Sequence, residues 1–364
     1  MNKTNNNLYT WGLNDIKNLG TNLNFEFIKT PTILNFDGWN KVSLGYKFTL
    51  AIKDGQLYSF GLNSFGQLGN GNTIDSIFPE LISYDNTWTQ IACGYGHSLG
   101  INSGKLYTWG YNFHAQLGNG TTEHYIYGPL KFNQNSDWTK IAAGKYSSYS
   151  IRQGFLHAWG SNFYGQCGVG RNQNLVLYIN PITQYNDWID VAAGSGHVLA
   201  LRSNGELYSF GHNNYGQLGN GNYENSFVPT KIEGIKNVSS IAAGEFHSLA
   251  ISDGELYTWG CNTNGQLGLN DRESRNIPTK LDFNNSWTSI AAAENSSIAV
   301  NNQLLYSWGN NEFCQVGNNS VGGIKFENDV LSPLNIGLVL NDFCLGTGCS
   351  SKHNAVVNFL FDFN

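Results

Sequence analysis

Charge is what this 364-residue sequence has least of: Asp, Glu, Lys and Arg together make up 13% of it. That is too little for a fold of long surface helices laced by ion pairs. No run of five Lys or Arg occurs, and the net charge is −6, so the basic footprint that neutralises phosphates is missing. Nucleic acid and anionic membrane surfaces are therefore not expected partners. No stretch of eighteen apolar residues is present, and the opening MNKTNNNLYTWG lacks an apolar run of signal-peptide length, so a soluble chain outside the general secretory route is expected. The six cysteines (Cys93, Cys167, Cys261, Cys314, Cys344 and Cys349) include no CxxC pair. Neither a zinc site nor a disulfide framework is indicated. Free thiols in a reducing compartment follow: cytoplasm or nucleus, or the host cell if the source is a pathogen or virus.

What is abundant points one way. There are 43 glycines and 14% aromatic residues, a mixture that favours strands and tight turns. About 50 asparagines suit turns that need a left-handed backbone. The strongest feature is a repeat. Glycines closing a Leu-Tyr-Thr-Trp-Gly-like segment stand at Gly12, Gly61, Gly110, Gly160, Gly211, Gly260 and Gly309, with spacings of 49, 49, 50, 51, 49 and 49. A second marker, IAAG, ends at Gly45, Gly94, Gly144, Gly194 and Gly244, becomes Ala293 in the sixth copy and returns loosely near Gly346. Repetition at this period means one repeat domain rather than two or three independent ones.

Each unit parses into four short strands. The IAAG run (Ile141 to Gly144 in one copy) has the small side chains that suit an innermost strand, where sheets converge on an axis. His247 to Ile251 alternates with period two and forms the second strand. Asp54-Gly55, Asn204-Gly205 and Asp253-Gly254 are pairs suited to two-residue hairpins with positive φ, which predicts a hairpin into the third strand. That strand, as in Leu256, Tyr257 and Trp259, is apolar on both faces, as in a sheet packed between two others. Asn213, Gly216, Gln217, Leu218 and Gly219 then form a sharp reversal. Each fourth strand holds one proline (Pro31, Pro79, Pro129, Pro181, Pro229, Pro278 or Pro333), which lacks an amide donor and places this strand on the outer edge.

A four-stranded sheet with two apolar faces must stack, and only closure hides the last face. The expected fold is all-β: a seven-bladed β-propeller of four-stranded blades, closed by N- and C-terminal strands that share one blade. It is a single domain over 1–364, with repeats near 8–41, 42–90, 91–140, 141–190, 191–240, 241–289 and 290–342 and closing strands in 343–364. Either residues 8–11 or residues 360–363 can supply the third strand of the closing blade. The segment 318–342, longer than its counterparts, carries Phe326, Glu327 and Asp329; such a break in the repeat reads either as a functional insertion or as loop variation near the closing blade.

The residues ACGYGHSL, DGELYTWG, NxxGQLGNG and the distal proline resemble the repeat of the regulator of chromosome condensation family, over essentially the whole chain. The resemblance implies a seven-bladed propeller. It also implies protein binding: relatives include the guanine-nucleotide exchange factor for the GTPase Ran, ubiquitin-ligase subunits, a plant photoreceptor and a secreted β-lactamase inhibitor. In the exchange factor the loop after IAxG builds the face that meets the GTPase. Carried over by position, that face comprises Tyr46, Lys47 and Phe48; Tyr95, Gly96 and His97; Lys145, Tyr146 and Ser147; Ser195, Gly196 and His197; Glu245, Phe246 and His247; and Glu294, Asn295 and Ser296. Acid stands there only at Glu245 and Glu294, and the near-constant repeat length leaves no room for the hairpin wedge of the exchange factor.

The resemblance thus implies a scaffold or regulator of a protein partner, with a Ran-class small GTPase expected. An active exchange factor and an inhibitor or ubiquitin-pathway adaptor stand as alternatives. A monomer is expected, with no cofactor and no metal. His97, His197 and His247 share one offset and read either as side chains hydrogen-bonded to a strand start or as partner contacts. Metal is excluded because the blades hold them apart on a ring. The glycine-rich turns run from strand to strand without GKS or GKT, so they are not phosphate loops. No Ser/His/Asp or Cys/His set indicates bond chemistry.

Overall fold

The computed structural model describes residues 5–21, 23–34, 38–132, 135–171, 173–283, 286–320, 328–340, 342–346 and 353–360. Their strands form seven four-stranded antiparallel sheets. Blade five is representative: Val238–Ala243, His247–Ser252, Glu255–Gly260 and Arg275–Lys280 lie side by side in that order. Blades one to four and six begin at Trp39–Leu44, Trp88–Cys93, Trp138–Ala143, Trp188–Ala193 and Trp287–Ala292 and run outward in chain order. The first strand thus starts three residues before the IAAG run, at a buried tryptophan in five blades. The neighbouring third strand explains the extension. Trp39 packs edge-on against Tyr58 with ring centroids 5.5 Å apart, and Trp188 does the same against Tyr208 at 5.3 Å, so the aromatic pair staples the far end of the blade.

Closure joins the two ends of the chain. Blade seven has Asp342–Gly346 and His353–Leu360 on the inside, then Asn5–Leu13 and Phe27–Leu34. Asn5 pairs with Leu360 and Gly12 with His353. Residues 8–11 therefore occupy the third strand, Leu360 ends the second, and 361–363 lie outside the described residues. Residues from the innermost strand of every blade, among them Ser43, Ala92, Ala142, Ala193, Ala242, Ala291 and Leu345, line one central channel of about 220 Å³. All seven prolines fall in outermost strands.

Two of the three hairpin pairs behave as expected: Asp54 and Gly55 have φ of 50° and 77°, Asp253 and Gly254 of 51° and 78°. Asn204-Gly205 differs. Only Gly205 is left-handed, at 79°, and its N–H donates to Arg202 O at 3.0 Å. This is a three-residue loop, a tight turn followed by a left-handed glycine.

The reversal after the third strand is built round one asparagine per blade. In Asn213 the carboxamide oxygen accepts the Leu218 amide at 2.9 Å, while Nδ2 donates to the carbonyls of Asn222 and Glu224 at 3.0 Å. Asn14, Asn63, Asn112, Asn162, Asn262 and Asn311 each accept from the amide five residues on. The same reversal presents a glutamine carbonyl to the next blade. Gln217 O accepts Trp259 Nε1 at 2.9 Å and Ser248 Oγ at 2.9 Å. Gln67, Gln116 and Gln266 repeat the pair, and Gln315 O takes Trp11 Nε1 across the closure. Blade four offers Phe210 and Val198 in these places, and Gln166 O instead accepts Tyr149 Oη from its own blade at 2.7 Å.

Two stability changes follow. Trp259→Phe removes the buried donor to Gln217 O together with part of the fully buried ring system, and is expected to cost about 2–3 kcal/mol in chemical denaturation. Ala115 stands at φ 60° where four other blades have a left-handed glycine, so Ala115→Gly is expected to gain about 0.5–1 kcal/mol by the same measurement, because the left-handed region disfavours a Cβ.

Candidate functional site: the aromatic rim

The first strand of each blade ends, and the second begins, at the same end of the propeller where the asparagine reversal folds over; Cys261 N, just past the third strand, donates to Phe246 O at 2.8 Å. One face therefore gathers two loops per blade. Of the residues expected there, Tyr46, Lys47, Tyr95, Lys145, Tyr146, Glu245, Phe246, Glu294 and Asn295 are half-buried at the rim. Phe48, His97, His197 and His247 are not: all four are 0% exposed. They sit inside the wall and correct the expected contact surface, because a ring sealed between blades cannot touch a docked partner.

Their burial has a clear cause. His97 Nε2 lies 2.9 Å from Ser148 Oγ of the next blade, and that hydroxyl donates its one proton to Gln116 O at 2.7 Å. The hydroxyl must accept from the ring, which puts a proton on His97 Nε2, and burial keeps the ring from taking a second one. His197 with Ser248 and His247 with Ser297 repeat the arrangement at 3.0 Å. A Cβ on Gly94 would fall 2.1 Å from His97 Cε1, and one on Gly244 2.1 Å from His247 Cε1. The glycine of IAAG is thus the seat of this ring. The sixth copy, with Ser296 in place of the ring, accepts Ala293.

At the surface, the aromatic side chains form a continuous row. Tyr46 stacks on Tyr95 with centroids 4.7 Å apart, Tyr95 leans on Tyr146 at 5.7 Å, and Tyr146 meets His114 at 4.4 Å. Phe65, Tyr111 and Tyr125 extend it along the reversals. Burial, aided by the neighbouring phenols Tyr46 and Tyr146, raises the Tyr95 hydroxyl above the usual tyrosine range, so it stays a donor at neutral pH. Two lysines border the row. Lys47 pairs with Asp15 and lies 5.8 Å from the Tyr46 ring; Lys145 lies 5.8 Å from Tyr95 and 5.9 Å from Tyr146, and 3.8 Å from Glu245. Asn295 Oδ1 accepts from Gln266 Nε2 at 3.3 Å.

The reversals contribute residues that the sequence reading passed over: Phe113, Phe163, Tyr164 and Tyr215 are all at least 40% exposed. The available signal was an aromatic at a variable position of N-x-x-G, inside a turn that has no core to fill. Phe326 and Glu327 of the long loop lie outside the described residues. Asp329 is structural: its side chain is 1% exposed and takes Arg272 at 2.8 Å, Asn264 Nδ2 at 3.2 Å and the Asn311 amide at 3.3 Å. Among the described residues, no group of three or more His, Cys, Asp or Glu is placed to hold a metal ion.

The sequence profile of the RCC1-like domain matches residues 1–289. Curated relatives align over one short stretch: the ultraviolet-B receptor UVR8 of Arabidopsis thaliana at 36% identity over 58 residues, and the mitochondrial RCC1 domain-containing protein RUG3 of the same plant at 44% over 59. These stretches are 15% and 16% of this chain and 13% of each relative. Solved structures align along nearly its full length. Yeast RCC1 (Prp20), bound to Kap60, superposes with a TM-score of 0.84 at 24% identity, covering 99% of this chain and 90% of that one; human WBSCR16 does so with 0.84 at 21%, covering 98% and 99%. Prp20p of Saccharomyces cerevisiae, reported with its binding properties to Gsp1p and histones, gives 0.83 at 23%, covering 100% and 93%. At these identities the likeness is one of fold.

The sealed histidines predict an acid-sensitive ring. Burial pushes His97, His197 and His247 down to about 3, whereas an unfolded chain titrates them near 6.5. Between those values the unfolded state binds protons the folded state refuses, so stability is full above about pH 6.5 and falls as pH drops. Each histidine contributes a limiting slope of about 1.4 kcal/mol per pH unit. Chemical denaturation between pH 7.5 and 5, above the carboxylate range, is expected to steepen to a slope of about three protons or more, since burial also lowers His114, His157 and His212, and His97→Gln is expected to remove one of them.

Proposed function

The chain belongs to the family of the RCC1-like domain, and from that premise we propose that it is a binding propeller that docks a protein partner on its aromatic rim and regulates or scaffolds it. The observation that carries the proposal is the row from Tyr46 through Tyr95 and Tyr146 to His114. Tyrosines packed on a rigid ring lose little conformational entropy on binding and offer apolar area with a polar tip, the properties of interface anchors. Such a surface binds; it does not make or break bonds. The partner we propose is a small GTPase of the Ran class. Support comes from the family and from Prp20p, for which binding to Gsp1p is reported.

We further propose that the partner is held rather than emptied of its nucleotide. Every described strand belongs to a blade, so among the described residues no strand pair stands out as a wedge. Among the described loops after IAAG acid stands only at Glu245 and Glu294, and Asp15 of the blade-seven reversal is held by Lys47. The same reading takes the protein as a monomer in a reducing compartment, cytoplasm or nucleus; Cys93, Cys167, Cys261 and Cys314 are buried thiols outside any disulfide.

Titrating GDP-loaded Ran-class GTPase into the protein by calorimetry, with nucleotide release followed in parallel, tests this. Binding is expected without faster release. Tyr95→Ala and Tyr146→Ala are each expected to weaken it at least about tenfold, or about 1.4 kcal/mol. Accelerated release would establish the exchange factor instead, and absence of binding would remove this partner class.

A further inference from the structure

The rim is interrupted at blade four. Where its neighbours carry Lys145 with Tyr146 and Glu245 with Phe246, blade four has Ser195 with Gly196, and the missing side chains leave a pocket of about 390 Å³. Its walls are aromatic: Tyr146 and His114 on one side, Phe163 and Tyr164 from the blade-three reversal, and His212 and Phe246 on the other. Tyr164 and His212 are in contact with centroids 4.7 Å apart, and His212 leans on Phe246 at 5.8 Å. The axial end is closed by an ion pair, Lys145 Nζ to Glu245 at 3.8 Å. The other glycine at this offset makes no such gap. A Cβ on Gly96 would strike Phe65 at 2.6 Å, whereas one on Gly196 would meet nothing nearer than 3.3 Å.

We propose that this pocket receives the guanidinium of an arginine presented by the partner. This rests on the rim being the docking face, and it names the chemistry of one contact within it. Three features select a cation. The walls are aromatic, and the face of an aromatic ring attracts positive charge. The one carboxylate lining the pocket, Glu245, is at its inner end with a side chain 17% exposed. The chain already keeps a cation in this setting: the Lys145 ammonium lies 5.9 Å from Tyr146 and beside Glu245. Arginine fits better than lysine because its flat, weakly hydrated fork stacks on rings and engages a carboxylate with two donors. Lys145 is then a resident substitute that yields Glu245 to the arriving guanidinium and swings back over Tyr95.

The test needs no partner, so its failure and failure of the docking reading are separable. Arginine amide and N-acetylglutamate amide are titrated separately into the full chain and followed by NMR of labelled tyrosine and phenylalanine rings. Arginine amide is expected to shift Tyr146, Tyr164 and Phe246. Lys145→Ala is expected to tighten it about tenfold by removing the competitor, and Glu245→Gln to weaken it at least about fivefold. Gly196→Tyr, which supplies the side chain blade three carries, is expected to abolish it while the denaturation midpoint stays near that of the parent. Binding of the glutamate probe in preference, no response to arginine amide at any accessible concentration, or arginine binding that Gly196→Tyr leaves intact would each overturn the assignment.

Discussion

The backbone carbonyl of one glutamine in each of six reversals is the constraint from which the ring follows. In four blades it takes a tryptophan N–H and a serine hydroxyl from the next blade at once, as Gln217 O does from Trp259 and Ser248. Apolar packing between blades is strong but nondirectional, and alone it would let neighbouring sheets slide. Two donors converging on one buried acceptor fix the angle and height of each blade, since leaving that acceptor unmade costs more than the bond itself contributes. At the closure Trp11 and Gln315 are 304 residues apart in sequence, so the last junction repeats the geometry of the local ones. Where the donors are absent, at Phe210 and Val198, Tyr149 turns inward to satisfy Gln166. The repeat has drifted in residue type but has kept the acceptor occupied.

The histidines belong to the same network. Because Ser148 gives its proton to Gln116, it can only accept from His97, which fixes the proton on Nε2, and burial keeps that imidazole neutral in the wall. What looks like a recurring functional histidine is therefore a tie between blades. The proposed docking on the rim would draw on the rigidity this tie helps to provide, since aromatic anchors bind well when their scaffold is already ordered.

A framework this regular makes the departures informative. Side chains at the rim are free of the packing constraints that repeat below them, and the six described copies differ there: tyrosines and lysines on blades one to three, serine and glycine on blade four, acids on blades five and six. The mouth is consequently aromatic and basic on one side and acidic on the other, with a gap between them. A partner docked on this face, as proposed above, would have to match that order round the axis, which would give an approximately sevenfold scaffold a single docking orientation.

The sequence by itself determined the count of blades, the order of strands within them, the outward placement of the prolines and the joining of the two ends. Each of these depends on spacing and on backbone chemistry that a residue carries wherever it stands. It could not sort the loop after IAAG into surface and wall. Phe48 and His97 follow the same marker as Tyr46 and Tyr95, and only the position of the next blade, with Ser148 in place to receive the ring of His97, sends one set inside. Nor could it choose between residues 8–11 and 360–363, because both read as strands and the register of Asn5 against Leu360 is set by closure. The pocket at blade four was equally invisible: Ser195 and Gly196 are small in the sequence, but a void needs walls, and those come from blades three and five.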